Sequence, residues 1–551
     1  MFISKIKFIY IFFICYLLLG LFIYSDYGIG IEEHFQRQNG FYWLKKILTF
    51  FFRLDDLNFA VLKKYNNIIS YDPSLPNSEF FNFYGIAFDT PTAFIEVILK
   101  LNESKLYFEI RHLFNFLFFF TSSIFFYLIL KNRFKDKIII YLGTIFYIIN
   151  PRIFGDSFHN NKDIFFLSIL TISIFFLFKY FEKQKLKNII LLCFFVAIAT
   201  STRIMALYLP VLLSIMLFTD YLSKKISRKY FFQQIFLIFF FFIFFLYVHY
   251  PYMWKLNFFE FITWFKAFFY HMNLRILFFG DYYHIKYLPR LYLPTWISIT
   301  LPLYILILLI IGHFIMFRRL LHRIVNIKPT EQTYSDLWRS IEEKKDLFIF
   351  LSLTSFLIFA IFLNTAMLSG WRHFYFLHIF IIYIAIYMLN LIFLYLKRKK
   401  INILLFSFVN LLFLIFIIKE LFIFHPYQSL YFNSLINQKN HHNFPIDTPS
   451  LSRSDALKFI INDGKNLSKI FVANASWTPM YNGKDLLNPS DKMKLVFVGQ
   501  DFNKADYIYT NYIYEVDPKY NKKYNIPSQF NEIKRVSVRD ITIYSIYKKV
   551  K

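Results

Sequence analysis

The chain has 551 residues, 57% of them hydrophobic, with 78 Phe and 41 Tyr, and a mean hydropathy of +0.43. Soluble domains are about 45–50% apolar, so water alone is excluded as the solvent for this chain. The formal net charge of +27 raises the question of nucleic acid. The basic residues, however, fall in short clusters between apolar runs and not along one polar face, which argues against such a partner.

In chain order, the first apolar run is Ile6 to Tyr24, behind Lys5. It is long enough to span and has no small-residue cleavage site, so it reads as a retained signal anchor. A polar and aromatic stretch, 26–111, follows. Apolar runs then recur at about 112–130, 138–150, 164–180, 188–200, 204–219, 231–249, 296–317, 347–366, 373–396 and 401–424. This predicts an α-helical polytopic protein with about 11 transmembrane helices. The runs 138–150 and 188–200 are short for full spans and are candidates for re-entrant segments.

Basic clusters lie at 131–137, 179–187, 224–229, 318–345 and 397–400. With the N-terminus in the cytoplasm, alternation over eleven spans places all five inside. The loops at 26–111, 151–163, 200–203, 250–295 and 367–372 then lie outside, as does the tail. Residues 1–424 form the transmembrane domain on this reading, and 425–551 an extracytoplasmic domain. The helical stretch Ser452 to Asn462 and the strand-like runs Lys469–Ala473, Lys494–Val498 and Ile541–Ile546 predict a small α/β or α+β fold for the tail.

Cys15 and Cys193 sit in apolar runs and read as buried small residues. His441-His442 reads as an exposed pair in a polar linker. No zinc spacing, Walker motif or Gly-rich dinucleotide loop is present, so neither a metal nor a cofactor is expected.

Charges at membrane edges carry the functional signal. The short outside loops hold Arg152, Lys162, Arg203 and Arg372, each at the edge of an apolar run. One such residue is most simply a snorkelling anchor. Four on one face point to an anion site, because Arg grips phosphate oxygens in a bidentate fork. The connector 150–163 is unusually polar, offering Arg152, Asp156, His159, Asn160, Lys162 and Asp163. A capped turn, with Pro151 ending one helix and Asp163 capping the next, explains only part of it. Glu32 and Glu33, a few residues past the first span, offer a general base. The bland alternative for them is the solvated acidic start of an amphipathic interfacial helix, just as Asp55-Asp56 reads as a helix start. In the 250–295 loop, Trp254, Tyr282, Tyr283 and His284 suit either a lid or sugar-binding wall or an interfacial aromatic belt.

The run Pro151-Arg152-Ile-Phe154-Gly155-Asp156-Ser157-Phe158-His-Asn160-Asn-Lys162-Asp163 resembles the Pro-Arg-Phe-Phe-Gly-His-Ser-Phe-x-Asn-Pro-Lys-Asp signature of bacterial membrane glycosyltransferases. These belong to the superfamily of protein O-mannosyltransferases and lipid A aminoarabinose transferases, glycosyltransferase family 39, with a C-type fold. Arg111-His112, Thr202-Arg203, Leu293-Pro294-Thr-Trp296, Gly370 to Phe376 and His425-Pro426-Tyr427-Gln428 extend the resemblance over roughly 20–435. Asp156 stands where the family often has His, and Asn161 where it has Pro.

The resemblance implies an inverting transfer of a sugar from a polyprenyl-phosphate donor to a lipid, glycan or protein acceptor outside the cytoplasm of a bacterial inner membrane. Glu32 would be the catalytic base, with Glu33 beside it in place of the family's Asp-Glu pair. Arg152, Lys162, Arg203 and Arg372 would hold the donor phosphate, and Asp156, His159, Asn160, Trp371 and His373 the substrate. The partners are then the lipid-linked sugar, the acceptor and membrane lipids, with no nucleic acid. A lipid-linked sugar flippase or transporter is the competing class, and it has no need of a base beside the phosphate.

Overall fold

A computed structural model describes residues 8–52, 61, 64, 85–255, 259, 262, 274–325, 337–363, 367–368 and 370–550. Asp55-Asp56 and parts of the 250–295 loop and the 318–345 cluster lie outside the described residues. Among the described residues, nine helices are long and apolar enough to cross a membrane: Phe8–Asp26, Ser104–Arg133, Asp163–Glu182, Ile204–Leu222, Arg228–His249, Leu303–Val325, Ile341–Phe362, Arg372–Arg398 and Ile403–Ile423. Hydrocarbon offers backbone groups no partners, so apolar runs of this length close their own hydrogen bonds as helices.

The two short runs depart from plain spans. The first is a bent pair, Lys137–Ile148 and Pro151–His159, with 57° between its halves. Pro151 does not end a helix as expected; it opens the second half, where a missing N–H costs nothing, and the Asn150 side chain accepts from the Ile153 N–H. The second, Leu186–Thr202, has 17 residues, a rise of about 26 Å. Asp163 does not cap the helix it begins either. The Asn160 side chain accepts from the Asp163 N–H at 3.1 Å, which leaves the Asp163 carboxylate for Arg203.

Asp163–Glu182 is buried nearly all round, packed between Ser104–Arg133 and Leu186–Thr202. Arg228–His249 and Ile403–Ile423 turn Phe, Leu and Ile outward, as lipid-facing helices do. Cys193 is buried, but Cys15 is exposed on the first helix, contrary to expectation. Helix Glu33–Phe51 lies outside the spans. Its acidic start is not solvated: Glu33 to Asn39 are buried except for Phe35, which is partly so.

The tail folds as a five-stranded mixed sheet in the order β4-β3-β5-β7-β6, with β3 Ile470–Asn474, β4 Leu495–Phe497, β5 Tyr507–Thr510, β6 Phe530–Val538 and β7 Ile541–Lys549. β3 runs parallel to β4 and β5, while β7 is antiparallel to β5 and β6. Helix Arg453–Asp463 packs beside it. His441 is buried against Phe432, and only His442 of that pair is exposed.

This sheet domain is joined to the mouth of the bundle by polar contacts. Arg453, 1% exposed, donates to the carbonyls of Ser450, Pro479 and Ile29 at 2.8, 2.9 and 2.7 Å. The Ile31 N–H donates to the Pro449 carbonyl at 3.0 Å. His34 meets Asp485 at 2.8 Å, and Tyr27 donates to Gln428 at 3.1 Å. Gly28 lies so close to Leu451 that a Cβ there would stand 2.1 Å from its carbonyl oxygen, so only glycine lets the two segments touch.

Candidate active site

The segment 27–33 runs from the end of the first span to the start of helix Glu33–Phe51, and its two acids point different ways. Glu33 turns inward and is 2% exposed. It accepts from the Gly30 N–H at 2.6 Å and lies 3.1 Å from His112 Nε2 through both oxygens. Burial works to raise its pKa, but His112 and the Gly30 N–H hold it below the usual carboxylate value. Both oxygens of Glu33 are thus engaged in keeping this turn in place.

Glu32 faces a cavity and keeps 36% of its side chain exposed. Its partner is Arg372, which opens the Arg372–Arg398 span. Burial would raise the Glu32 pKa, yet Arg372, Lys162 and Arg203 together pull it down to about 2. Lys162 feels the reverse pressures: burial and Arg203 push it down to about 7, against the pull of Glu32.

The cavity measures about 500 Å³ with its open mouth included. Glu32, Arg372, Arg152, Asp156, His159 and Asn160 all line it, and with Glu33 the structure brings seven of the eleven residues named from sequence onto one surface. The Glu33 carboxylate, however, is already spoken for. Arg152 is held from behind, donating Nε to the Tyr431 carbonyl at 2.9 Å with its guanidinium over the rings of Trp296 and Phe432. Asp156 lies 3.4 Å from His159 and accepts from Asn160 at 3.1 Å. Arg203 is paired with Asp163 one layer deeper, and Lys162 lines a neighbouring cavity.

Some expectations fail. Trp371 does not face the cavity; its indole donates to Thr300 at 2.9 Å and its ring packs on Tyr375. His373 is likewise off the cavity wall, within electrostatic reach of Arg203, Asp163 and Arg372. Trp254, Tyr282, Tyr283 and His284, the four residues singled out in the 250–295 loop, do not line this cavity either. Trp254 packs on Phe50 and Phe51, while Tyr282, Tyr283 and His284 make strand β2 of a hairpin with β1, Arg275–Phe278. That hairpin is tied to the tail through the Gly280 N–H to the Asn443 carbonyl and the Arg275 N–H to the Glu515 carbonyl.

Other residues come to the site unannounced. Gln36 stands one turn after Glu32, a placement readable once 33–51 is taken as a helix. Tyr375 lies one turn beyond Arg372. Ser429, Thr448 and Pro449 close the cavity from the tail, some 400 residues away, and no local pattern marks them.

Chemically, the arrangement places the Glu32 carboxylate and the Arg372 and Arg152 guanidinium groups on a single solvent-entered surface. It can take a proton at Glu32 and receive an anion at Arg372 and Arg152.

Residues 91–248 match the family described as dolichyl-phosphate-mannose-protein mannosyltransferase. The matched segment contains His112, Arg152, Asp156, Lys162 and Arg203 and stops short of Glu32 and Arg372. None of the curated proteins matches the chain. Among solved structures, the archaeal oligosaccharyltransferase AglB from Archaeoglobus fulgidus, in complex with an inhibitory peptide and a dolichol-phosphate, is similar to it. The identity is 10% and the TM-score 0.42, over 91% of this chain and 69% of that one.

Proposed function

We propose that this membrane glycosyltransferase, whose residues 91–248 match the dolichyl-phosphate-mannose-protein mannosyltransferase family, moves a sugar from a polyprenyl-phosphate donor to an acceptor on the extracytoplasmic face. The carrying observation is that Glu32 and Arg372, drawn from opposite ends of the helical region, meet on the wall of one open cavity. The donor phosphate takes Arg372 over from Glu32, with Arg152 on the same surface and Lys162 and Arg203 adding positive potential from behind. Glu32, released from its guanidinium, then regains basicity.

In the transfer, Glu32 takes the proton of the acceptor hydroxyl as its oxygen bonds to the anomeric carbon. The bond from that carbon to the phosphate oxygen breaks, and the electron pair leaves with the polyprenyl phosphate. A single displacement of this kind inverts the anomeric carbon. No nucleotide fold is needed, since the sugar arrives activated.

Sidedness rests on charge. The described parts of the five basic clusters lie at helix ends away from the cavity, as they do when the cavity faces outward from the cytoplasm of a bacterial inner membrane. The acceptor is a lipid, glycan or protein hydroxyl.

The test is turnover of radiolabelled polyprenyl-phosphate sugars by the full chain in nanodiscs with an envelope extract, wild type against Glu32→Gln. Consumption by wild type and a loss of about 10²- to 10⁴-fold in Glu32→Gln, with donor binding retained, is the expected result. Equal turnover by both removes Glu32 as the base. Tight lipid binding without turnover of any donor replaces the transferase with a lipid-linked sugar flippase.

A further inference from the structure

Beside the cavity that holds Glu32 and Arg372 lies a second one of about 360 Å³, and the two share Gln36 and Asn161 in their walls. Its lining is of two kinds. Phe35, Phe88 and Phe165 supply aromatic surface, and Gln36, Asn39 and Asn161 supply amides. These amides are buried: Asn39 is 0%, Asn161 3% and Gln36 6% exposed.

Among the described residues, Gln36 Oε1, Asn39 Oδ1 and both polar atoms of Asn161 have no hydrogen-bond partner. A buried amide oxygen without a donor is costly, so three of them around one cavity mark a place where a ligand completes the bonds. An amide both donates and accepts, as a hydroxyl does, and aromatic faces suit the C–H face of a sugar ring.

The charges nearby narrow the choice. The Asp89 carboxylate, also on this wall, is already held by Arg111 at 2.7 Å and by Asn39 Nδ2 at 3.1 Å. Lys162 lines the same cavity. The setting therefore offers no uncommitted carboxylate to a cationic amino sugar, and its spare groups are neutral.

We propose that this second cavity seats the transferred sugar ring, a neutral hexose, with Gln36, Asn39 and Asn161 reading its hydroxyls. The proposal rests on the transferase reading above and adds the class of sugar and the residues that recognise it. The shared wall explains how a ring seated here reaches the reacting groups. Gln36 lies one helical turn from Glu32, its N–H donating to the Glu32 carbonyl at 3.0 Å. Phosphate and anomeric carbon then sit where the cavities join, and the ring hydroxyls lie in the smaller one.

The experiment measures binding by the full chain in nanodiscs of bare dolichyl phosphate and of its mannose, glucose and galactose conjugates. Wild type is compared with Asn39→Ala, Asn161→Ala and Gln36→Met. Wild type should bind at least one hexose conjugate more tightly than the bare lipid. Each substitution should cut that preference about tenfold, and Asn39→Ala, whose residue lines the smaller cavity alone, should leave bare-lipid affinity within twofold, which also shows that this variant is folded. If a variant binds neither lipid, the other two decide.

Loss of both affinities in parallel in every variant that binds lipid, or an unchanged hexose preference, overturns the subsite. So does a wild type with no preference for any of the three hexoses. Failure of the transferase reading looks different, because it appears as Glu32→Gln turning over like wild type, whatever the amide variants do.

Discussion

At the end of the bundle away from the cavity, Arg133 donates Nε and an Nη to the two oxygens of Asp346 at 2.8 and 2.7 Å, and Tyr383 adds a third bond at 2.8 Å. Lys345 beside it donates to Glu182 at 2.8 Å and to Asn132. At the cavity end, Arg372 pairs with Glu32 and Arg203 with Asp163, but among the described residues the Nε of Arg372, a residue of the cavity wall, has no hydrogen-bond partner. Both ends bury charge, and only one of them saturates it. A saturated network staples helices together, whereas donors left over on a cavity wall are free to take an anion. The difference separates structural ion pairs from a binding site more sharply than the number of charges does.

Substitutions at the two ends should therefore fail in different ways. The largest effect on folding is expected from Arg133→Gln, which takes the two-pronged partner from buried Asp346, leaving it Tyr383 and Arg319 at 3.7 Å, and should cost about 3 kcal/mol of stability. Turnover per folded molecule should stay near wild type, as read by thermal unfolding alongside activity normalised to folded protein. Arg372→Gln should invert that pattern, with turnover falling about 10²- to 10³-fold and a smaller shift in unfolding temperature. If both variants lost stability equally and activity equally, the distinction between the two ends would be gone.

Arg453→Met is intermediate. It leaves three buried carbonyls without their donor and should cost about 1–3 kcal/mol, with a loss of turnover because the Ile29 carbonyl no longer anchors the Glu32 segment. A variant that lost stability but kept full turnover would assign Arg453 to the tail alone.

The smallest effect is in pH. The Glu32 pKa is depressed to about 2 in the donor-free protein, so its pairing contributes stability above the ordinary carboxylate pKa and loses it as pH falls toward 2. Donor phosphate on Arg372 should return the pKa toward its ordinary value. The acid limb of kcat, set in the complex, should then lie about one to two units above that of kcat/KM, set in the free enzyme. Coincident limbs would mean that Arg372 stays with Glu32 throughout.

What was legible in the sequence was whatever leaves a local trace. Apolar runs fix helices because nothing else satisfies a backbone in lipid, and Ser452 to Asn462 and the three strand-like runs of the tail recur in the structure. Arg152, Lys162, Arg203 and Arg372 stood out because a cation at a membrane edge is expensive. Pro151 misled because proline stops one helix and starts another with equal ease, and only the Asn150 cap decides between them. Trp371 misled because adjacency in sequence to Arg372 says nothing about which way an indole turns. Asn39 was silent and Asn161 showed only as a departure from the family's Pro, since an amide shows its role only when its partners can be counted. Thr448 and Pro449 could not be found from spacing at all, because the chain returns to the site only after its last span.

That late return orders the making of the protein in time. The Glu32 segment emerges more than 400 residues ahead of its braces: Pro449 on Ile31, Arg453 on Ile29 and Asp485 on His34. Until residue 453 has been synthesised and has crossed to the same side, the carboxylate has no fixed address. A chain cut after the last span would retain Glu32, Arg152 and Arg372 and still lack the clasp that aims the first of them. A copy without the tail should therefore hold the cavity's charges and leave Glu32 without the braces that aim it.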